Sequence, residues 1–158
     1  MGSGKTHWGK LWAQQNGLDF FDLDEIIEAQ QQKTIDAIFE QNGEESFREI
    51  ESNALKTFSE KDNCIIACGG GTPCFHDNMQ WMNENGTTVY LKASTGQVLE
   101  RVKDEKYKRP LLKKLDDDEV LLFISQKIIE RAPFYSQAKI ILLVEELNTA
   151  SFEKIINS

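Results

Sequence analysis

The first residues of the chain could hold a phosphate group. Gly2, Ser3 and Gly4 precede Lys5 and Thr6 at the start of a predicted helix. Glycines let backbone N–H groups turn toward phosphate oxygens, and a helix N-terminus adds the positive end of its dipole. A lysine at this place reaches nucleotide phosphates, and a threonine hydroxyl is a ligand for Mg²⁺. The segment predicts the second half of a phosphate-binding loop; the alternative is a chance Gly-Ser turn.

Two carboxylates follow at the end of a predicted strand. Asp22 and Asp24 are two residues apart, so strand geometry would place both side chains on one face. Open α/β sheets bind ligands at the carboxyl ends of their strands. One carboxylate there suits the metal's surroundings and the other suits a substrate hydroxyl. The alternative is a pair of surface aspartates that close a strand.

A triple glycine follows a second predicted strand. Gly69, Gly70 and Gly71 come directly after the apolar run Cys64–Cys68. Consecutive glycines cost conformational entropy and allow a ligand to approach the backbone closely. The pattern favours a loop that lines a ligand pocket over a plain flexible turn.

Four arginines are candidates for binding anions: Arg48, Arg101, Arg109 and Arg131. A planar guanidinium suits carboxylate and phosphate groups, and an arginine near a transferred phosphoryl group stabilises its charge. With 26 acidic residues in the chain, each arginine taken alone could equally be solvated or ion-paired. Their order along the chain decides the interpretation.

Helices and strands alternate around these residues. Apolar runs predict strands at 18–22, 64–68, 89–91 and 140–144, with those after the first buried on both faces. Helices are predicted up to Gly17, from Thr34 as an N-cap, over 44–58 after a break at Gly43, and near 77–83, 95–102, 117–131 and 149–156. This alternation predicts an α/β fold with a mainly parallel sheet. The polar connection 104–118 is the candidate lid.

Composition limits the classes of protein. With 158 residues we expect one domain, and 40% hydrophobic residues exclude a disordered chain. The net charge of −8 has the wrong sign for binding nucleic acid or anionic lipid. No apolar run reaches the roughly 18 residues that span a bilayer. Three cysteines in one short segment suit a reducing compartment, so we expect a cytoplasmic protein without nucleic-acid or membrane partners.

In this order, the motifs resemble those of shikimate kinase, in the nucleoside-monophosphate-kinase-like group of P-loop proteins. The resemblance runs through GSGKT at 2–6, FFDLDEIIE at 20–28, FREIE at 47–51, GGG at 69–71, RPLL at 109–112, and Arg131 with Tyr135 in RAPFY. It implies a three-layer P-loop kinase fold, with a parallel sheet flanked by helices and a mobile lid near 104–118. One domain would span 1–158, with substrate-binding helices at about 25–58.

The resemblance also implies an activity. The protein would transfer the γ-phosphate of ATP to the 3-hydroxyl of shikimate, a step toward chorismate and aromatic amino acids. Shikimate and ATP would be its small-molecule partners, Mg²⁺ its cofactor and a monomer its state.

Roles transfer to matching positions. Gly2, Ser3, Gly4, Lys5 and Thr6 would bind ATP, with Thr6 and Asp22 near the metal. Arg101 would stack on adenine, and Arg109 would close with the lid onto the transition state. Lys5, Asp24 and Arg109 would be the catalytic residues, with Asp24 as the base for the attacking hydroxyl.

Substrate recognition would fall to a second group, which the same resemblance assigns. Arg48 and Arg131 would hold the shikimate carboxylate. Asp24 and the backbone of Gly69, Gly70 and Gly71 would complete the pocket. Two alternatives stay open at this point: a related small-metabolite kinase such as gluconate kinase, and a catalytically impaired protein that still binds shikimate.

The family pattern begins with an apolar strand and a glycine before the position of Met1, and that strand is central in a five-stranded sheet. Only four strands can be predicted from this sequence. Because a missing central strand would expose backbone edges, we expect about ten further residues at the natural N-terminus.

Overall fold

A computed structural model of the protein describes residues 2–105 and 116–157. The chain divides into two compact units. One is Lys5–Thr87, and the other consists of Met1–Gly4 and Thr88–Ser158. The single domain over 1–158 stays a prediction. Arg109 and most of the predicted lid at 104–118 lie outside the described residues.

The Lys5–Thr87 unit packs helices against a parallel strand pair. Its elements are α1 (Lys5–Asn16), β1 (Asp19–Asp22), α2 (Leu23–Gln31), α3 (Ile35–Lys56), β2 (Cys64–Ala67), a 3-10 turn (Thr72–Cys74) and α4 (Asn78–Asn85). In the pair β1–β2, Asp19 lies opposite Cys64 and Asp22 lies opposite Ala67. Both strands therefore end at the same edge, where the chain turns into α2 and into the triple glycine.

Local signals in the sequence explain where these helices begin and end. Gly17 has a φ of +65°, which permits the turn after α1. The Thr34 hydroxyl accepts a hydrogen bond from the Ala37 amide and caps α3. Gly43, at φ 80° and ψ 172°, is non-helical inside α3, so the predicted break falls within one element.

The core of this unit lies between α2 and α3. Its buried side chains are Leu23, Ile27, Ile38, Phe47, Ala54, Leu55 and Phe58. Full burial of each leucine, isoleucine or phenylalanine side chain among them stabilises the fold by about 1.5–3 kcal/mol. The core fixes the start of α2 and the middle of α3, which carry acidic and basic side chains of the candidate site.

The second unit repeats the parallel strand pair. It contains β3 (Val89–Lys92), α5 (Thr95–Glu105), α6 (Asp117–Tyr135), β4 (Ile140–Leu143), a 3-10 turn (Val144–Glu146) and α7 (Ser151–Ile156). Val89 pairs with Ile140 and Lys92 with Leu143. A reciprocal capping box between Asp116 and Glu119 starts α6. Buried valines and isoleucine join α5 to α6: Val98, Val102, Val120 and Ile124.

The α/β class with parallel strands is confirmed, and the four strands lie where they were predicted. They form two separate pairs, β1–β2 and β3–β4. The prediction of burial on both faces is wrong for the strand at 140–144, since Ile141 and Leu143 are 47% and 36% exposed. β2 and β3 are mostly half-buried, and within the described residues each strand is hydrogen-bonded to one neighbour. Among the described helices, none has the length and apolar character that a bilayer crossing requires.

Candidate active site

Asp22 joins the start of α1 to the start of α2. Its Oδ2 accepts a hydrogen bond of 2.9 Å from the Thr6 hydroxyl, and Lys5 Nζ lies 3.9 Å from the same oxygen. Its Oδ1 accepts a hydrogen bond of 3.1 Å from the Asp24 amide and caps α2. One buried carboxylate therefore fixes the lysine and hydroxyl of the predicted phosphate loop beside the second aspartate.

Asp24 lies near Asp22, but the reason given by strand geometry is wrong. The strand ends at Asp22, whose extended backbone is the N-cap, and Asp24 is in the first turn of α2. The cap hydrogen bond, and not a shared strand face, sets their relative position. A Cβ added to Gly69 would lie 3.4 Å from Asp24 Oδ1, so this carboxylate lies against the triple-glycine loop.

The surroundings of Asp24 favour its protonated form. Burial raises the pKa of Asp24 above its ordinary value, and the nearby carboxylates of Asp22, Glu51 and Glu28 raise it further. The ammonium of Lys5 acts in the opposite direction. A carboxylate with a raised pKa is a stronger base than a free one, which suits it to accept a proton from a hydroxyl.

Arg48 lies against the other end of the glycine loop. A Cβ on Gly71 would lie 2.5 Å from its Nη2, 2.6 Å from its Nη1 and 2.7 Å from its Cζ. Any larger residue at position 71 would therefore require the guanidinium to move. The side chain is buried among three aromatic rings, with Cζ 4.5 Å from the centroid of Phe75, 5.1 Å from that of Phe47 and 5.7 Å from that of Phe39.

Two carboxylates contact the guanidinium of Arg48. Glu51 Oε2 accepts a hydrogen bond of 2.7 Å from Nη1, and Glu44 Oε1 lies 3.1 Å from Nη2 and 3.3 Å from Nε. The two differ in exposure, because the Glu51 side chain is 1% exposed and the Glu44 side chain is 60% exposed. Glu51 is thus a built-in partner of Arg48, whereas Glu44 holds the guanidinium edge that faces solvent.

Glu51, Thr72 and Phe75 are functional-site residues that were not predicted from the sequence. Glu51 had a readable signal, since it follows Arg48 at a spacing of three on a helix, where opposite charges meet. Thr72 and Phe75 had none, because a threonine and an exposed phenylalanine after a glycine run are unremarkable in a sequence. Their contacts depend on the 3-10 turn that begins at Thr72.

The oxygen atoms of Thr6 and Asp22 suit a magnesium ion. A hydroxyl and a carboxylate are hard oxygen donors, and Mg²⁺ takes one or two such groups while keeping several waters. The two groups lie 2.9 Å apart and border Lys5, the predicted phosphate-binding side chain. The donor set fits the metal that the sequence predicts.

Other predicted residues belong to the second unit. The Gly2 carbonyl accepts a hydrogen bond of 2.9 Å from Arg101 Nη1, and Gly2 has a φ of +65°. Ser3 and Gly4 follow, with Gly4 at a φ of +84° before Lys5 begins α1. Arg131 is partly exposed on α6, which continues through Pro133 to Tyr135. Arg109 lies outside the described residues.

The structure therefore brings together Lys5, Thr6, Asp22, Asp24, Arg48, Gly69 and Gly71 within the Lys5–Thr87 unit. The carboxylate of Asp24 and the buried guanidinium of Arg48 lie against one glycine loop, and Lys5 lies near Asp24. This arrangement can hold an anionic substrate by one end and deprotonate a hydroxyl at the other.

Known proteins resemble the whole chain. The sequence model of the family described as shikimate kinase matches residues 1–158. A shikimate kinase of Parabacteroides distasonis is 45% identical over 151 residues, which are 96% of this chain and 87% of the relative. A shikimate kinase of Bacteroides thetaiotaomicron is 44% identical over 147 residues, which are 93% of this chain and 84% of the relative.

Solved structures give the same match. A crystal structure of shikimate kinase from Bacteroides thetaiotaomicron superposes with a TM-score of 0.94 at 38% identity and covers 100% of this chain and 94% of that one. A shikimate kinase from Acinetobacter baumannii in complex with shikimate has a TM-score of 0.84 at 28% identity, covering 99% of this chain and 86% of that one.

Proposed function

Because this chain belongs to the shikimate kinase family, we propose that the site of the Lys5–Thr87 unit performs the family's reaction. The protein is a kinase that transfers the γ-phosphate of ATP to the 3-hydroxyl of shikimate and yields shikimate 3-phosphate and ADP. The roles of Asp24 and Arg48 are inferred from the geometry of the site, and those of Arg101, Arg109 and Arg131 from the resemblance to the family.

The positions of Asp24 and Arg48 along the glycine loop are the main support for these roles. Asp24 lies against Gly69 at one end, and Arg48 lies against Gly71 at the other. These glycines form a turn, since Gly71 has a φ of −88° and a ψ of −25° and the Thr72 amide donates a hydrogen bond to the Gly69 carbonyl. A ring acid that carries both a carboxylate and a hydroxyl would lie between the two side chains, with the backbone of Gly69, Gly70 and Gly71 beneath it.

Asp24 is the base in this proposal. Its carboxylate accepts the proton of the 3-hydroxyl as that oxygen forms a bond to the γ-phosphorus and the bond from phosphorus to the bridging oxygen of ADP breaks. The raised pKa strengthens Asp24 as a base, and the ammonium of Lys5 nearby favours the ionised form that can accept a proton. General-base catalysis of this kind contributes about 10²–10⁴ in rate.

Arg48 binds the carboxylate of shikimate, and Arg131 is its proposed second partner. Glu51 keeps Nη1 of Arg48, while the exposed Glu44 leaves Nη2 and Nε when the substrate arrives. A bidentate bond between a guanidinium and a carboxylate is stronger than a neutral hydrogen bond and fixes the orientation of the ring. Positioning of this kind is the main source of catalysis in phosphoryl transfer.

ATP binding falls to the start of the chain. The backbone of Gly2, Ser3 and Gly4 binds the phosphates, and Lys5 balances their charge. Thr6 and Asp22 would hold Mg²⁺, which neutralises charge on the β- and γ-phosphates when it is bound. Arg101 is proposed to contact the adenine and Arg109 the transferred phosphoryl group, where closure of the lid excludes water.

Two further predictions complete the proposal. We expect a monomer, which light scattering on a sizing column tests as a mass near 18.1 kDa. We expect a cytoplasmic location, which suits the three free thiols Cys64, Cys68 and Cys74.

The methyl ester of shikimate tests the Arg48 assignment. The ester lacks the negative charge and keeps the 3-hydroxyl. In a coupled assay of ADP release, we expect kcat/KM for the ester to be at least about tenfold below that for shikimate, the loss of one charged hydrogen bond. In Arg48→Ala the ratio should shrink by about threefold or more, and Lys10→Ala, which removes an exposed cation of the same unit, should keep it.

An unchanged ratio in Arg48→Ala would refute the carboxylate assignment. The same assay also separates the kinase from a protein that only binds shikimate. Calorimetric binding of shikimate without ADP release at saturating ATP and Mg²⁺ would favour the impaired alternative.

A further inference from the structure

A buried chain of polar side chains lies behind the Arg48–Glu51 pair. Glu51 Oε1 accepts a hydrogen bond of 2.6 Å from the Thr72 hydroxyl, while its Oε2 holds Arg48. The Thr72 carbonyl accepts a hydrogen bond of 2.9 Å from Asn78 Nδ2. The Asn78 Oδ1 accepts one of 2.8 Å from the Ser52 hydroxyl.

Each member of this chain is almost fully removed from water. The exposed fractions are 1% for Glu51, 3% for Ser52, and 0% for both Thr72 and Asn78. A buried polar group costs free energy unless it is hydrogen-bonded, so each bond in the series depends on its neighbours. The orientation of the Glu51 carboxylate is therefore set by Thr72 on one side and by Arg48 on the other.

The backbone between Thr72 and Asn78 carries strain. His76 and Asp77 have φ values of 51° and 56°, in the left-handed region that residues with a side chain rarely adopt. Such residues persist only where the surroundings over-determine the conformation. Asn78 supplies that restraint, since its side chain bonds to the Thr72 carbonyl and its amide donates to the Phe75 carbonyl over 3.0 Å.

This strained segment contacts both Arg48 and its partner Glu51. It places the Phe75 ring 4.5 Å from the guanidinium carbon, and it places the Thr72 hydroxyl on Glu51. Thr72 also closes the glycine loop, because its amide donates a hydrogen bond of 3.2 Å to the Gly69 carbonyl. One short segment thus fixes the loop under the substrate and the charge partner of the arginine.

We propose that Thr72 and Asn78 are positioning residues for the carboxylate of the substrate, and that they act through Glu51 on the guanidinium of Arg48. This inference rests on the proposed role of Arg48. The Thr72 hydroxyl keeps one oxygen of Glu51 occupied, so that the other points at Nη1. Asn78 holds Thr72 in the position from which its hydroxyl reaches Glu51.

Kinetics of variants at Thr72 test the inference. Thr72→Val replaces the hydroxyl by a methyl group of similar size, and Thr72→Ser keeps the hydroxyl. We expect Thr72→Val to raise the KM for shikimate about fivefold or more at saturating ATP, with kcat within about twofold and the KM for ATP unchanged. Thr72→Ser should stay within about twofold of the parent for all three constants.

Asn78→Ala should show the same selective rise, and its matched control is Asn85→Ala. Asn85 lies on the same helix and is exposed, and its side-chain amide donates a hydrogen bond to the Trp81 carbonyl. The control should leave every constant unchanged. If Thr72→Val fails to fold, Asn78→Ser is tested in its place. It removes the amide that donates to the Thr72 carbonyl, with a smaller change in volume than Asn78→Ala.

Three outcomes would overturn the inference. These are an unchanged KM for shikimate in the folded variants, equal effects of valine and serine at position 72, and a parallel rise in the KM for ATP. An Arg48→Ala arm separates this from the proposed function. If that variant leaves the KM for shikimate unchanged, the role of Arg48 fails; if only Arg48→Ala raises it, the positioning role alone fails.

Discussion

Gly71→Ala should displace the guanidinium of Arg48 without disturbing the backbone. Gly71 has a φ of −88° and a ψ of −25°, which alanine adopts freely. The new Cβ would stand 2.5–2.7 Å from three atoms of the guanidinium, where ordinary contact begins at 3.4 Å. The group must therefore move by about 1 Å.

The surroundings of Arg48 leave little space for such a shift. Glu51 holds Nη1 at 2.7 Å, and the rings of Phe47 and Phe75 contact the guanidinium. Moving the group by about 1 Å lengthens the ion pair and misaligns the edge that faces the substrate. Misplacements of this size cost up to about 10²-fold in enzymes, and we expect the KM for shikimate to rise at least about tenfold, or ~1.4 kcal/mol.

The assay is coupled ADP release with shikimate varied at saturating ATP, and then the reverse. Gly96→Ala is the control, because a Cβ at that helical glycine meets no atom within 4 Å. The KM for ATP should be unchanged in both variants. A folded Gly71→Ala protein with the parental KM for shikimate would refute the claim that Arg48 binds the carboxylate from its place over Gly71.

Three other substitutions probe separate parts of the account. Asp24→Asn should lower kcat at least about a hundredfold and keep shikimate binding as measured by calorimetry. Because burial raises the pKa of Asp24 and the base must be ionised, kcat/KM of the parent should begin to fall, as the pH is lowered, at a pH above the ordinary aspartate pKa. A fall in kcat/KM at the ordinary aspartate pKa would contradict the effect of burial. Glu44→Gln should lower the KM for shikimate about twofold or more, as it removes the exposed competitor on Arg48, and an increase would instead make Glu44 part of the binding surface. Gly9→Ala should lower the free energy of unfolding in urea by about 1 kcal/mol, because its Cβ would stand 2.6 Å from Phe20 Cε2; equal or greater stability would show that the ring moves aside.

Much of the fold follows from local patterns. The cap at Thr34, the left-handed turn at Gly17 and the break at Gly43 are decided by side chains within a few residues, so they could be predicted. The burial of the strands could not be predicted from local patterns. An apolar run such as Ile140–Leu143 predicts a strand, but the number of neighbours that cover it depends on the whole sheet.

The site shows the same division. Motif order predicted Lys5, Asp24 and Arg48; the structure places Asp24 and Arg48 against one glycine loop and Lys5 near Asp24. The geometric reason given for the aspartates was wrong, since a capping hydrogen bond at Asp22 replaces a second strand position. The role of Thr72 could not be predicted, because Thr72 and Glu51 are 21 residues apart in the sequence and meet only in the folded chain.

The position of bound shikimate decides whether Arg48 and Asp24 hold the substrate as proposed. In a crystal structure of this protein with shikimate, we expect the carboxylate within about 3.2 Å of the Arg48 guanidinium and the 3-hydroxyl within about 3.2 Å of Asp24. Glu44 should then have left the guanidinium. Shikimate bound with its carboxylate away from Arg48, or with the 3-hydroxyl out of reach of Asp24, would contradict the account.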